Sequence, residues 1–137
     1  MNKIDKVLKN AIHFHGHLGP YLVLGVRAGL YANEILGRSP MKMKAAITSP
    51  LTPPQSCFID GIQITTGCTT GKNNIKLIES SELSVTFDSG TKKLKLILLK
   101  EIIDAINSLP AKENAWEDYA HYLYKADIAK LFVPLLE

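Results

Sequence analysis

The sequence is poor in cysteine, with only Cys57 and Cys68 in 137 residues. Small disulfide scaffolds carry many more cysteines, and a chain of this length can bury an adequate core without cross-links. The two thiols are therefore interpreted as free, functional or metal-bound groups rather than as a disulfide framework.

The sequence also lacks long apolar runs and a strong excess of charge of either sign. No apolar stretch approaches the length of a membrane span, and the charged N-terminal segment contains no apolar core of a secretion signal. The formal net charge is +3, with basic residues grouped only in the short "TKKLKL" run at residues 91–96, which is too weak for a nucleic-acid-binding protein. We expect a cytoplasmic protein without membrane or nucleic-acid partners.

Hydrophobic periodicity indicates one α+β domain spanning residues 1–137. Helical spacing predicts helices at residues 2–12, 20–36, 55–66 and 100–109, and one or two more within 113–132. Alternating or continuous apolar runs predict four strands, at residues 41–49, 75–80, 83–88 and 94–99. Small residues in the second helix indicate close packing against another element.

Three of the four histidines lie within five residues, and His15 and His17 flank Gly16. In an extended segment both imidazoles would point to the same side, without a side chain between them. Neutral imidazole is a preferred ligand of transition metals. A histidine cluster that only caps a helix or packs in the core is the alternative.

Cys57 follows a proline-rich turn and begins a predicted helix, where the helix dipole favours a thiolate. A thiolate suits both metal binding and nucleophilic attack, whereas a small buried apolar residue is the alternative. Asp60 lies one turn further on and is suited to orient a histidine, although an acidic residue is also common in a first helical turn.

Cys68 lies in "TTGCTTGKNN", a polar segment that is an unusual place for a buried hydrophobic residue. Its glycines, threonines and Lys72 are also compatible with an anion site. The spacing is not that of a P-loop, because Gly67 and Gly71 are one residue too close and Asn73 replaces the required Ser or Thr. Trp116, in the C-terminal helical segment, has the spacing of a core or interface residue.

Together these segments resemble the FmdE family of formylmethanofuran dehydrogenase proteins (FmdE-like proteins), whose pattern combines H-G-H before a helix with C-x-x-D-x-x-Q and T-G-C-T-x-G-K. The matching positions of the second block are Cys57, Asp60, Gln63, Thr66, Gly67, Cys68, Thr69, Gly71 and Lys72. The resemblance implies a core domain with a four-stranded mixed sheet packed with helices (FwdE/GAPDH-domain-like). It also implies a homodimer, a bound transition metal such as zinc, and association with a molybdenum or tungsten oxidoreductase of methanogenesis.

The chain departs from this family in two ways. Members often continue H-G-H-x-C-P-G, whereas here Gly19 stands at the position of that cysteine. Many members also carry a C-terminal zinc ribbon with C-x-x-C pairs, and residues 1–137 contain none. The resemblance therefore covers the core domain only.

The leading hypothesis from the sequence is a zinc or similar metal site formed by His15, His17, Cys57 and Cys68. If the site is catalytic, Cys57 is part of it and Asp60 or Lys72 assists. Two alternatives stay open: a metal-independent enzyme that uses a cysteine nucleophile, and a non-enzymatic subunit that delivers metal to a larger oxidoreductase or interacts with it.

Overall fold

The computed structural model describes residues 5–137, which form an α+β fold with one mixed sheet. The helices are α1 (Lys6–His15), α2 (Pro20–Leu36), α3 (Cys57–Thr66), α4 (Lys100–Asn107) and α5 (Glu113–Lys125). The strands are β1 (Lys44–Ser49), β2 (Ile75–Glu79), β3 (Ser84–Asp88), β4 (Lys93–Leu98) and β5 (Phe132–Leu136). Each helix of the described chain is too short or too polar to cross a lipid bilayer.

The predicted α+β class and mixed sheet are confirmed, but the prediction of four strands is wrong. The sheet has five strands in the order β2-β1-β3-β4-β5. Only β1 and β2 run parallel, and the other neighbours are antiparallel. The additional strand, β5, contains Pro134, which is tolerated there because β5 is an edge strand. The similarity to the GAPDH domain stays a prediction.

Helix α1 lies further along the chain than predicted. Asp5 caps its first turn by accepting a hydrogen bond from the Leu8 N–H at 3.0 Å. The helix ends at Gly16, whose φ of 108° is accessible to glycine and whose N–H donates to the Ile12 carbonyl at 2.7 Å. His15 is therefore helical, and residues 2–4 of the predicted helix lie outside the described residues.

The hydrophobic core lies between the helices and the inner face of the sheet. That face includes Ile47, Val85, Phe87 and Leu96, all 0 to 1 % exposed. Helix α2 packs mainly on α3, and α5 packs on the other side of α2. Within residues 5–137 the opposite face of the sheet carries no helix layer, so its side chains alternate with those of the core.

The contact between α2 and α3 depends on glycines from both helices. A Cβ atom on Gly25 would overlap the Phe58 carbonyl oxygen, and one on Gly61 would lie 2.5 Å from the Val26 nitrogen. The two backbones therefore touch directly, as the small residues of α2 predict. This close approach places the first turn of α3 beside the first turn of α2.

Candidate functional site

Three helix ends meet where the sequence motifs predict a site. Helix α1 ends at His15, a turn through residues 16–19 carries His17, and α2 begins at Pro20. Helix α3 enters from the other side, with Cys57 as its first residue. The end of one helix and the beginnings of two others thus bring the H-G-H and C-x-x-D motifs together.

His15 and Asp60 form the shortest described polar contact between these two motifs. The His15 Nδ1 lies 2.6 Å from the Asp60 Oδ2, and their side chains are 13 % and 36 % exposed. An ionised carboxylate only accepts hydrogen bonds, so Nδ1 carries the proton and donates it. In the neutral imidazole, Nε2 then keeps its lone pair available for another partner.

His17 lies beside His15, although the two are not in the extended segment that the sequence indicates. Their ring centroids are 5.6 Å apart and the rings are tilted by 42°. The His17 side chain is exposed, and its Cε1 lies 3.2 Å from the position that a Cβ of Gly19 would take. Glycine at position 19 therefore leaves room for the His17 ring.

His17 and Cys57 line the same small cavity, of about 40 Å³. Its other walls are largely apolar and include Pro20, Tyr21 and Trp116. One water needs about 10–15 Å³ of such space, so the cavity accommodates an ion with its water or a group of a few atoms. A nitrogen donor and a sulfur donor thus face a confined, mostly apolar space.

The Cys57 thiol is half-buried, and burial raises its pKa. The negative charge of Asp60, one turn further along α3, raises this pKa further. The beginning of a helix by itself favours a thiolate, but these two effects outweigh it here. Without a neighbouring cation, Cys57 is a protonated thiol near neutral pH.

We therefore predict that Asp60→Asn accelerates alkylation of Cys57 by iodoacetamide near pH 8. Removing the carboxylate charge lowers the pKa of Cys57 and raises the thiolate fraction, so the rate should increase severalfold. Mass spectrometry of the Cys57 peptide over a pH series measures this rate. Asp104→Asn, which neutralises an exposed acid on α4, should leave it unchanged. An equal rate in Asp60→Asn and the wild type would show that Asp60 does not act on Cys57.

Cys68 does not join the other three predicted ligands. It follows the ten-residue helix α3 at the end opposite Cys57, a distance of about 15 Å along the helix. Its side chain is fully buried in the hydrophobic core, where its Sγ lies 3.4 Å from the Met43 carbonyl oxygen as a hydrogen-bond donor. Burial raises the pKa of this thiol too, so Cys68 contributes to packing.

Lys72, predicted to assist catalysis, also lies at the far end of α3. Its Nζ donates to the Gly67 carbonyl, where α3 ends, and to the Thr69 Oγ1 at 3.1 Å. A cation there stabilises the carbonyl end of the helix. The Thr69 N–H donates within the loop to Asn74, at 2.8 Å. These internal bonds account for the polar residues that are compatible with an anion site in the sequence.

Of the predicted site residues, His15, His17, Cys57 and Asp60 lie at one end of α3, and Cys68 and Lys72 lie at the other. Within residues 5–137, no three or more His, Cys, Asp or Glu side chains are arranged as a ligand set for one ion. The four-ligand site is therefore not assembled, and metal binding stays a prediction.

The comparison with known families agrees with the two motifs. The family described as "FmdE, Molybdenum formylmethanofuran dehydrogenase operon" matches residues 14–133, which include both motifs, the first four strands and the start of β5. The chain belongs to the FmdE family. The operon in this description links FmdE proteins to formylmethanofuran dehydrogenase.

One curated relative is similar over part of this FmdE domain. It is a probable S-adenosyl-L-methionine-binding protein of Archaeoglobus fulgidus, 33 % identical over 87 residues. The match covers 62 % of this chain and 24 % of that protein. The chain thus spans about a quarter of the relative's length.

Two residues of the FmdE cavity are not apparent from the sequence as part of a site. Trp116 comes from α5, where its spacing indicates a core or interface residue, and its Nε1 donates to the Pro110 carbonyl at 3.0 Å. Tyr21 is 2 % exposed, and burial raises its pKa. The proline before Tyr21 marks a helix start, but no local pattern connects either residue to Cys57.

Proposed function

We propose that this FmdE domain binds a divalent transition metal, zinc first of all, through His15, His17 and Cys57. The observation that carries the proposal is that His17 and Cys57 line one cavity, with His15 next to them. The contact between Asp60 and the His15 Nδ1 supports it further, since such a carboxylate fixes the ring and leaves Nε2 for a metal.

The chemistry of these donors suits zinc, which is commonly held by two or three imidazole and thiolate groups. The three groups do not converge on one point as they are placed, but His17 is exposed and lies on a turn. Exposed side chains change rotamer in nanoseconds or less, so His17 is the ligand that would adjust. Bound with three protein ligands, the metal would supply an open position that polarises a carbonyl or acidifies a water.

The raised pKa of Cys57 favours this proposal over a metal-independent cysteine nucleophile. A nucleophilic cysteine needs a lowered pKa or a base in contact with it, whereas burial and Asp60 act in the opposite direction. The His15 Nδ1 is engaged by Asp60 rather than by the thiol. A cation in the cavity is the partner that would convert Cys57 to a thiolate.

We further propose that the domain serves formylmethanofuran dehydrogenase as an accessory subunit, either by catalysis at the metal or by delivering it. The operon named in the family description supports this association. S-adenosyl-L-methionine is not a suitable ligand for the cavity, because about 40 Å³ is far below the roughly 300–1,000 Å³ of pockets for such molecules. The homodimer and the cytoplasmic location stay predictions.

Cobalt titration of the purified chain tests the metal site. Cobalt(II) replaces zinc in such sites, and a thiolate ligand gives an intense absorption band in the near ultraviolet. We expect one equivalent of cobalt with this band in the wild type, and loss of the band in Cys57→Ser. His17→Ala should weaken binding while the band persists at saturating cobalt.

Cys68→Ser is the matched control, since it removes the other thiol at the far end of α3. It should keep both the stoichiometry and the band, provided that circular dichroism shows a folded protein. A band that persists in Cys57→Ser and disappears in Cys68→Ser would contradict the assignment. Absence of cobalt binding to the wild type would overturn the proposal itself.

A further inference from the structure

The face of the sheet that carries no helix layer presents four lysines. They come from three strands and project to the same side, because their registers alternate with those of the core residues. We call this surface the outer face. Its lysines are Lys44, Lys76, Lys93 and Lys95, of which the last two belong to the "TKKLKL" run.

The charges of these lysines are only partly balanced. Asp88 lies opposite both Lys44 and Lys93 in the sheet register, and Glu137 follows the end of β5. Within residues 5–137, the only contact of 4 Å or less between a basic and an acidic side chain is that of His15 with Asp60. The lysines of the outer face therefore form no ion pairs there, and the face is positively charged.

The shape and composition of the outer face point to a protein partner. A shallow concavity of about 490 Å³ lies at its edge, lined by Lys44, Lys76 and Lys93. Next to it, apolar residues form a band across the sheet. They are Ile78, Ile97, Val133 and Leu135. Neither arginine nor an aromatic ring occurs among the register positions of this face, whereas surfaces for single-stranded nucleic acid use aromatic stacking.

The size of the outer face favours a transient contact. Five strands about 4.8 Å apart, each with about six residues at roughly 3.4 Å, give an area on the order of 500 Å². This is below the roughly 800 Å² per partner of a standard stable interface. A second copy, with the same positive charge, would be repelled by this face rather than attracted.

We propose that the outer face docks, weakly and in a salt-dependent manner, onto an acidic surface of a protein partner. The lysines would steer the encounter, and the apolar band would make the closest contact. The proposal does not depend on a metal, because none of the proposed ligands lies on the sheet.

Nuclear magnetic resonance of the metal-free full chain tests this proposal, with poly-L-glutamate as the probe. At low salt we expect shift changes of amides in β1, β3 and β4 around the four lysines. Lys76→Glu combined with Lys95→Glu should weaken binding at least about tenfold, since opposite charge then meets like charge. The matched control, Lys112→Glu with Lys130→Glu, makes the same charge change away from the face and should weaken binding much less.

Salt provides a second measure, since raising it from about 0.05 to 0.3 M shortens the Debye length and should largely abolish binding. Equal weakening by both double variants, or shift changes spread over the helices, would overturn the proposal. So would tighter binding of a single-stranded oligonucleotide or of anionic lipid vesicles to the same face. Shift changes at the face that depend on protein concentration without probe would assign it to a second copy instead.

Discussion

Replacing Gly61 by alanine is expected to lower the free energy of unfolding by about 3 kcal/mol or more. The new methyl group would overlap the Leu22 carbonyl oxygen and lie 2.7 Å from the Gly25 carbonyl carbon. Both are backbone atoms, which cannot rotate away, so the helices must separate. Alanine is otherwise better than glycine in a helix by about 1 kcal/mol, and the steric conflict outweighs that gain.

Urea denaturation followed by circular dichroism measures this loss. The matched control is Gly71→Ala, since a Cβ there meets no atom within 4 Å, and its free energy of unfolding should change by about 0.5 kcal/mol or less. Because α3 carries Cys57 and Asp60, Gly61→Ala should also disturb the cavity, visible as altered alkylation of Cys57. A Gly61→Ala protein as stable as the wild type would contradict the direct contact of α2 with α3.

Local sequence patterns predict most of the secondary structure, and the failures have local causes. The strand β5 is missed because its residues, "FVPLL", follow a helical pattern and include a proline, which argues against a strand. Its partner, β4, is about 35 residues earlier in the chain, so the pairing has no local signal. The end of α1 is misplaced because the pattern treats Gly16 as a spacer between two histidines, whereas it terminates the helix after His15.

The site is predictable only where its residues belong to sequence motifs. The motifs correctly bring His15, His17, Cys57 and Asp60 to one place, because α1, α2 and α3 pack against one another. Cys68 is misleading, since its polar neighbours suggest an open loop while its own side chain turns into the core beside Met43. Trp116 reaches the cavity through tertiary packing of α5, which periodicity within α5 cannot reveal.

Removal of the Asp60 side chain should weaken metal binding by about 10- to 100-fold, the usual effect of losing a carboxylate that orients a ligand. In Asp60→Ala the His15 Nδ1 loses its acceptor at 2.6 Å, so the ring is free to turn and to change tautomer. Asp60→Asn should have a smaller effect, because the amide oxygen still accepts a hydrogen bond but carries no charge. Competition with a chromophoric zinc chelator gives the affinities, and Asp104→Ala is the control for loss of an acidic residue elsewhere.

The tautomer of His15 separates this role of Asp60 from metal binding itself. In the metal-free wild type, nitrogen chemical shifts of the imidazole should show the proton on Nδ1, and this preference should diminish in Asp60→Ala. Unchanged zinc affinity in a folded Asp60→Ala protein would refute the positioning role while leaving the metal site standing. If the wild type binds no metal at all, the proposed function fails, yet the tautomer still reports whether Asp60 holds His15. A carboxylate that fixes the tautomer in a protein without metal affinity would assign this pair to the packing of α1 on α3.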